Sequence, residues 1–279
     1  MSTPLELPEI EIIRRDLEKD VAGRKIKSVE VSSMNLLPRY KSRKAFVDSL
    51  SGQKINAARR AGLALVLMMK NDYLVMKIGE GAFFERVPAK AKVTKGTEFT
   101  IDFTQGGQLR LVDPGKNSEL CVVPSTDLFE EMPELRGLGM DPIADPIPFP
   151  SFAGAVLGHS IDLKELLCDD EVILGVGDIY SDEILFAAGL KHDRASDSLS
   201  TQEIRRLHRA LVEIIHEGLR YRGTHLEERP FNDIFGVPGT YQEHLAVYGR
   251  HGDLSQRSRA PIKRKKYKGR WTYFCETQV

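Results

Sequence analysis

Gly175-Val176-Gly177-Asp178-Ile179-Tyr180-Ser181-Asp182-Glu183-Ile184-Leu185-Phe186-Ala187-Ala188-Gly189 is the stretch on which the reading of this chain turns. Two glycines spaced two apart permit a tight turn with close backbone approach. Asp178 suits the cap of the helix that follows, and Gly189 suits its terminator. Backbone N–H groups at such a junction also suit a phosphate, which makes Gly175, Gly177 and Asp178 candidate nucleic-acid contacts. Alone, a Gly-x-Gly turn before a helix serves structure more often than function, so its meaning depends on its surroundings.

Downstream, Ser200 with Glu203 forms a capping box. It opens a helix carrying Ile204, Leu207, Leu211, Ile214 and Leu219 and ending near Gly223. Upstream lies a strip with Pro142, Pro146, Pro148 and Pro150, expected to be a linker. Residues 9–21 place Ile10, Ile13, Leu17 and Val21 at helical spacing, between Pro8 and Gly23. From about 25 to 112 the chain reads mainly as strands, such as Lys27–Val31, Leu63–Met69, Tyr73–Ile78 and Glu98–Phe103, parted by Asn71-Asp72 and Gln105-Gly106-Gly107. The last section is rich in Gly, Lys and aromatics and reads as a β-hairpin. The expected class is α+β: an N-terminal helix and β-sandwich domain (1–142), a linker (143–150), a helical domain (151–237) and a hairpin (238–279).

At 279 residues the chain has material for two cores. It holds no run of about eighteen apolar residues, so no membrane span is expected. No secretory signal pattern is present at the start. Cys121, Cys168 and Cys275 are far apart and odd in number, which suits a reducing, cytoplasmic setting better than a disulfide framework. Lys plus Arg and Asp plus Glu are 40 each, for a formal net charge of zero. The basic groups are unevenly placed. Residues 250–270 hold nine of them, among them Lys268 and Arg270, against one acid, Asp253. Such an end can neutralise phosphates. Tyr248, Tyr267, Trp271, Tyr273 and Phe274 around it favour an ordered hairpin over a solvated tail.

In this context the Gly175–Gly189 stretch resembles the helix–two-turn–helix element of the formamidopyrimidine-DNA glycosylase and endonuclease VIII family. The similarity runs through Glu6-Leu7-Pro8-Glu9, Arg14-Arg15, Arg59-Arg60, Asp113-Pro114, Gly137-Leu138-Gly139, Asp141-Pro142, Val247-Tyr248-Gly249-Arg250 and Tyr273-Phe274-Cys275. The resemblance implies a base-excision repair fold that binds damaged DNA, flips the lesion out and attacks the sugar with an N-terminal proline amine. It implies contacts to DNA at Lys77, Gly175, Gly177, Asp178, Tyr248, Lys268 and Arg270, and a catalytic role for Glu6.

Several of the implied positions are changed. Leu5 stands where the family carries its N-terminal proline, behind four further residues. An α-amino group suits Schiff-base chemistry because its pKa of about 7.7–8.0 leaves it partly neutral. The amine of Ser2, exposed once Met1 is removed, is the one available here, and it lies four residues from Glu6. Gly62 matches the family's catalytic lysine. Glu80 matches a methionine that fills the hole of the flipped base, and Lys116 and Asn117 stand where the family carries Arg and Phe. A carboxylate cannot serve as an apolar wedge, and base extrusion costs a few kcal/mol. Asp178 replaces an asparagine, which puts a negative charge at a phosphate contact. The family's zinc ligands map to Ser255, Ser258, Cys275 and Gln278, and one thiol cannot hold structural zinc. A zincless finger without cofactors is expected.

These losses fall on functional positions while the scaffold motifs remain. The favoured reading is a monomeric, nucleic-acid-binding relative with degenerate catalysis, its partner duplex DNA, with RNA or protein as alternatives. An active glycosylase and lyase using an unusual amine, and a protein-interaction scaffold, both remain open.

Overall fold

The computed structural model describes residues 5–279, so the Ser2 amine lies outside the described residues. The chain packs as two units. One comprises residues 5, 9–136 and 222–239; the other comprises residues 6–8, 137–221 and 240–279.

The first unit takes most of helix α1 (Leu7–Val21), whose Ile10, Ile13, Leu17 and Val21 are all buried, as their spacing requires. Then follow β1 (Ile26–Val31), α2 (Arg43–Leu50), β2 (Ala57–Ala61), β3 (Ala64–Met68), β4 (Asp72–Lys77), β5 (Phe83–Val87), β6 (Thr97–Phe103), β7 (Gln108–Val112), β8 (Glu119–Pro124) and the single turn α3 (Leu128–Glu131). The strands form two four-stranded antiparallel sheets, ordered β1-β6-β7-β5 and β2-β3-β4-β8. This is the sandwich expected from the run of short strands. Helix α2 interrupts that run: Phe46 and Leu50, one turn apart, are its buried residues. Two apolar residues in eight are too weak a period to stand out in sequence.

Residues 222–239 close this unit around α1. Arg222 donates to Asp16 and to Asp233, each at 2.6 Å. The Glu9 carboxylate accepts the Thr224 N–H at 2.8 Å, and the Arg86 N–H donates to the Ile234 carbonyl at 2.7 Å.

The second unit is built on α4 (Phe149–Leu157), α5 (Leu163–Leu167), α6 (Asp178–Ala188) and α7 (Thr201–Arg220), followed by β9 (Lys263–Tyr267) and β10 (Arg270–Phe274). Helix α4 begins inside the proline strip, with Pro148 at its cap. The Ser200–Glu203 capping box forms, and Gly189 ends α6 with φ 70°. Tyr180 packs so close to Gly218 that a Cβ there would lie 2.6 Å from the ring. Packing of α6 on α7 therefore needs glycine at that point. Strands β9 and β10 pair around Lys268-Gly269, whose φ values of 46° and 87° fit a two-residue hairpin turn. No helix among the described residues is long and apolar enough to cross a membrane.

Candidate nucleic-acid interface

The start of α6 is capped by a side chain from far away in sequence. Glu6 Oε2 accepts the N–H of Gly177 at 2.7 Å and that of Tyr180 at 3.2 Å, while Oε1 accepts that of Ile179 at 3.0 Å. The Leu7 N–H adds a bond to the Gly175 carbonyl at 2.8 Å. A carboxylate is well placed here, since the first N–H groups of a helix lack partners and carry partial positive charge. The expected cap, Asp178, makes no capping bond and is the first helical residue instead. Both glycines of the turn are required. Gly175 adopts φ 68°, and a Cβ on Gly177 would lie 2.6 Å from the Glu6 carboxyl carbon.

Asp178 turns its carboxylate to the hairpin, where Oδ1 accepts Arg270 Nη1 at 3.1 Å. Beneath it, the buried Lys164 Nζ donates to the Asp178 carbonyl at 3.1 Å and to Asp182 Oδ1 at 2.7 Å. Burial works against the Lys164 charge, but the Asp182 carboxylate outweighs it and holds the ammonium protonated. The other Asp182 oxygen accepts the Tyr273 N–H at 2.8 Å, which fastens β10 to α6. Sequence reading misses Lys164, because a lysine in Leu163-Lys164-Glu165-Leu166-Leu167 looks like one on a solvated face. A pocket of about 330 Å³ opens beside Arg270, walled in part by Lys164, Cys168 and Lys268. Burial pushes the Cys168 thiol up to about 11, so it is not a nucleophile near neutral pH.

Other expected contacts are engaged within the protein. Lys268 pairs with Asp162 at 2.9 Å and Glu165 at 2.5 Å. Tyr248 is buried; its ring lies 4.9 Å from that of Tyr273, and its N–H donates to the buried Glu183 carboxylate, which also accepts those of Ala246 and Val247. In the first unit, Lys77 pairs with Glu134 and, at 3.5 Å, with Glu119, two carboxylates that also hold Arg39.

The changed positions of the first unit have local structural explanations. Gly62 occupies the two-residue turn between β2 and β3 with φ 60°, a conformation that costs a lysine roughly 1–2 kcal/mol. Its carbonyl accepts Arg60 Nη1 at 2.9 Å. Glu80 is half-buried in the loop after β4. Asn117 packs against Gly79, where a Cβ would lie 1.9 Å from the Asn117 amide oxygen. Lys116 adopts φ 53° and approaches Glu98 at 3.5 Å. Arg60 meets the buried Glu11, which Arg14 and Arg15 also hold. Burial raises the Glu11 pKa, but the three guanidinium groups outweigh it and bring it down to about 2.

The residues present do not fit a zinc ion. Among the described residues no three His, Cys, Asp or Glu side chains cluster as metal ligands. Gln278 uses its carbonyl for the Cys275 N–H and its amide for the Leu190 carbonyl, each at 2.8 Å. Ser255 and Ser258 accept the N–H groups of Arg257 and Ala260, and the Cys275 sulfur lies 3.1 Å from the Thr277 hydroxyl. Cys275 packs with Phe186, Val247 and Ile262. Hydrogen bonds and packing thus engage all four of these side chains.

Comparison with known proteins yields matches along nearly the whole length. The sequence model of the formamidopyrimidine-DNA glycosylase N-terminal domain matches residues 5–119, and that of the formamidopyrimidine-DNA glycosylase H2TH domain matches 138–229. The formamidopyrimidine-DNA glycosylase of Geobacillus kaustophilus is 32% identical over 275 residues, covering 97% of each chain. The crystal structure of the MutM (Fpg) protein of Thermus thermophilus superposes with a TM-score of 0.85 at 33% identity, covering 98% of this chain and 97% of that one. A complex of Lactococcus lactis Fpg with abasic-site DNA superposes with a TM-score of 0.87 at 25% identity, covering 97% of each chain.

Proposed function

Because this chain belongs to the formamidopyrimidine-DNA glycosylase family, we propose that it keeps the family's role at DNA while lacking its Schiff-base chemistry. The observation that carries this reading is the seat of Glu6. Three N–H groups of the α6 start fix its carboxylate, and the residue directly before it is Leu5, whose nitrogen is bonded into the chain as an amide. An amide nitrogen has no basic lone pair to attack a sugar carbon. The local roles of Gly62 and Asn117 support the same reading, since the first supplies no lysine ammonium and the second no stacking wedge.

Duplex DNA is the proposed partner, as the Lactococcus relative is bound to abasic-site DNA. The basic hairpin supplies the attraction. The proposed setting is the cytoplasm, where three free cysteines stay reduced. Borohydride trapping on a duplex carrying an abasic site or 8-oxoguanine tests the proposal. The expected result is salt-sensitive binding without a covalent adduct. An adduct that disappears when the N-terminal amine is blocked would show an active lyase and overturn it.

A further inference from the structure

The β9–β10 hairpin separates its cations into two classes. Lys263 pairs with Glu276, Lys268 with Asp162 and Glu165, and Arg270 with Asp178. Arg264, Lys265 and Lys266 have no acidic partner among the described residues, and all three are exposed. Trp271, the one tryptophan of the chain, stands beside Arg264 and Lys266 and is 47% exposed. Residues directly opposite in an antiparallel pair share a face. Trp271 opposite Lys266 and Tyr273 opposite Arg264 therefore line one side of the hairpin. The Arg264 guanidinium carbon lies 4.7 Å from the centre of the Trp271 ring.

An exposed tryptophan under an arginine costs hydration and gains little for the fold, whereas its neighbour Thr272 is fully buried. An arginine lying over an indole, with the unneutralised Lys266 on the same face, matches one ligand chemistry: a flat ring attached to a phosphate. We propose that the Arg264–Trp271 pair is a stacking platform for an unpaired nucleobase of DNA, with Lys266 on the same face holding an adjoining phosphate. A paired base in a closed duplex has both faces covered by its neighbours and cannot enter the stack. The platform therefore directs the protein to gapped, frayed or single-stranded segments. Base–aromatic stacking is tolerant of sequence, so no base preference follows. This inference rests on the DNA-binding reading and adds to it a preference for strand state.

Because Trp271 is the sole tryptophan, its emission reports on the platform alone. The full-length protein is titrated with labelled DNA of three kinds and equal length: blunt duplex, duplex with a central gap, and oligo-dT single strand. Tryptophan emission and the anisotropy of the label are read together. Gapped and single-stranded DNA are expected to quench the emission strongly, and blunt duplex weakly. Trp271→Ala should weaken binding of gapped DNA by roughly tenfold or more while changing blunt-duplex binding less than about twofold, and Trp271→Phe should restore much of the loss. Anisotropy that reports binding of gapped DNA without quenching, or a Trp271→Ala variant with an unaltered ratio of gapped to blunt affinity, overturns the platform and leaves the DNA-binding reading standing. Failure of all three DNAs to bind at low salt overturns both. Tighter, equally quenching binding of oligo-U than of oligo-dT overturns the assignment to DNA.

Discussion

The Asp178 carboxylate and the Arg270 guanidinium neutralise each other across 3.1 Å, joining the first residue of α6 to the first residue of β10. A carboxylate in that place competes with any phosphate approaching Arg270. The Asp178 side chain is one-tenth exposed and that of Arg270 nearly half, so the arginine remains reachable at the cost of its internal partner.

Asp178→Asn should therefore strengthen duplex DNA binding, by roughly tenfold at low ionic strength, because one repulsive charge is removed and one cation released. The slope of log affinity against log salt should steepen by about one. Fluorescence anisotropy over a salt series measures both. Unchanged or weakened binding would mean that Arg270 does not face phosphate.

Glu6→Ala strands three N–H groups at the start of α6, which should cost about 1–3 kcal/mol. Gly177→Ala should destabilise by a similar amount, because its Cβ collides with the Glu6 carboxyl group. The double variant should be more stable than the sum of the two single losses, since without Glu6 the added methyl escapes that collision. Chemical denaturation of all four proteins gives the cycle; strict additivity would contradict the contact.

Stability should fall in acid through Glu11. Its folded-state pKa, about 2, lies below the ordinary value of 4.5. The contribution is full above about 4.5 and is lost as the pH falls through the folded value near 2. Its size is about 3 kcal/mol by linkage. Urea unfolding between about pH 6 and pH 2.5 should show this slope, and Glu11→Gln should reduce it. An equal acid slope in the variant would place the effect elsewhere.

A chelator should leave the melting temperature unchanged, because hydrogen bonds fill the finger. Gln278→Ala, by contrast, should cost about 1–3 kcal/mol, since it removes both partners that its amide provides. A melting temperature lowered by chelation would point to a bound ion.

What the sequence reveals and what it hides follow from the range of the interactions. The Ser200–Glu203 box, the Gly189 terminator and the strand pattern are local and legible. The hairpin is legible from its aromatics and its Lys268-Gly269 turn. The cap of α6 is not, because Glu6 and Gly177 are 171 residues apart and no local pattern links them. Asp178, adjacent to the helix, is the natural candidate by sequence and serves Arg270 instead. Likewise Lys77 and Lys268 carry the charge that a phosphate contact needs, but only folding reveals the carboxylates already beside them. Gly62 shows the converse: resemblance sets it against a family lysine, while the turn explains why glycine suits the place.

The seat of Glu6 separates ancestry from activity. Selection for a folded protein is enough to hold Glu6 opposite Gly177, whether or not a sugar is ever attacked. A search that takes Glu-Leu-Pro-Glu and Gly-x-Gly as marks of a working glycosylase relies on two features that the fold itself uses at the start of α6, active or not. For proteins of this design, the group in front of the glutamate is the diagnostic one.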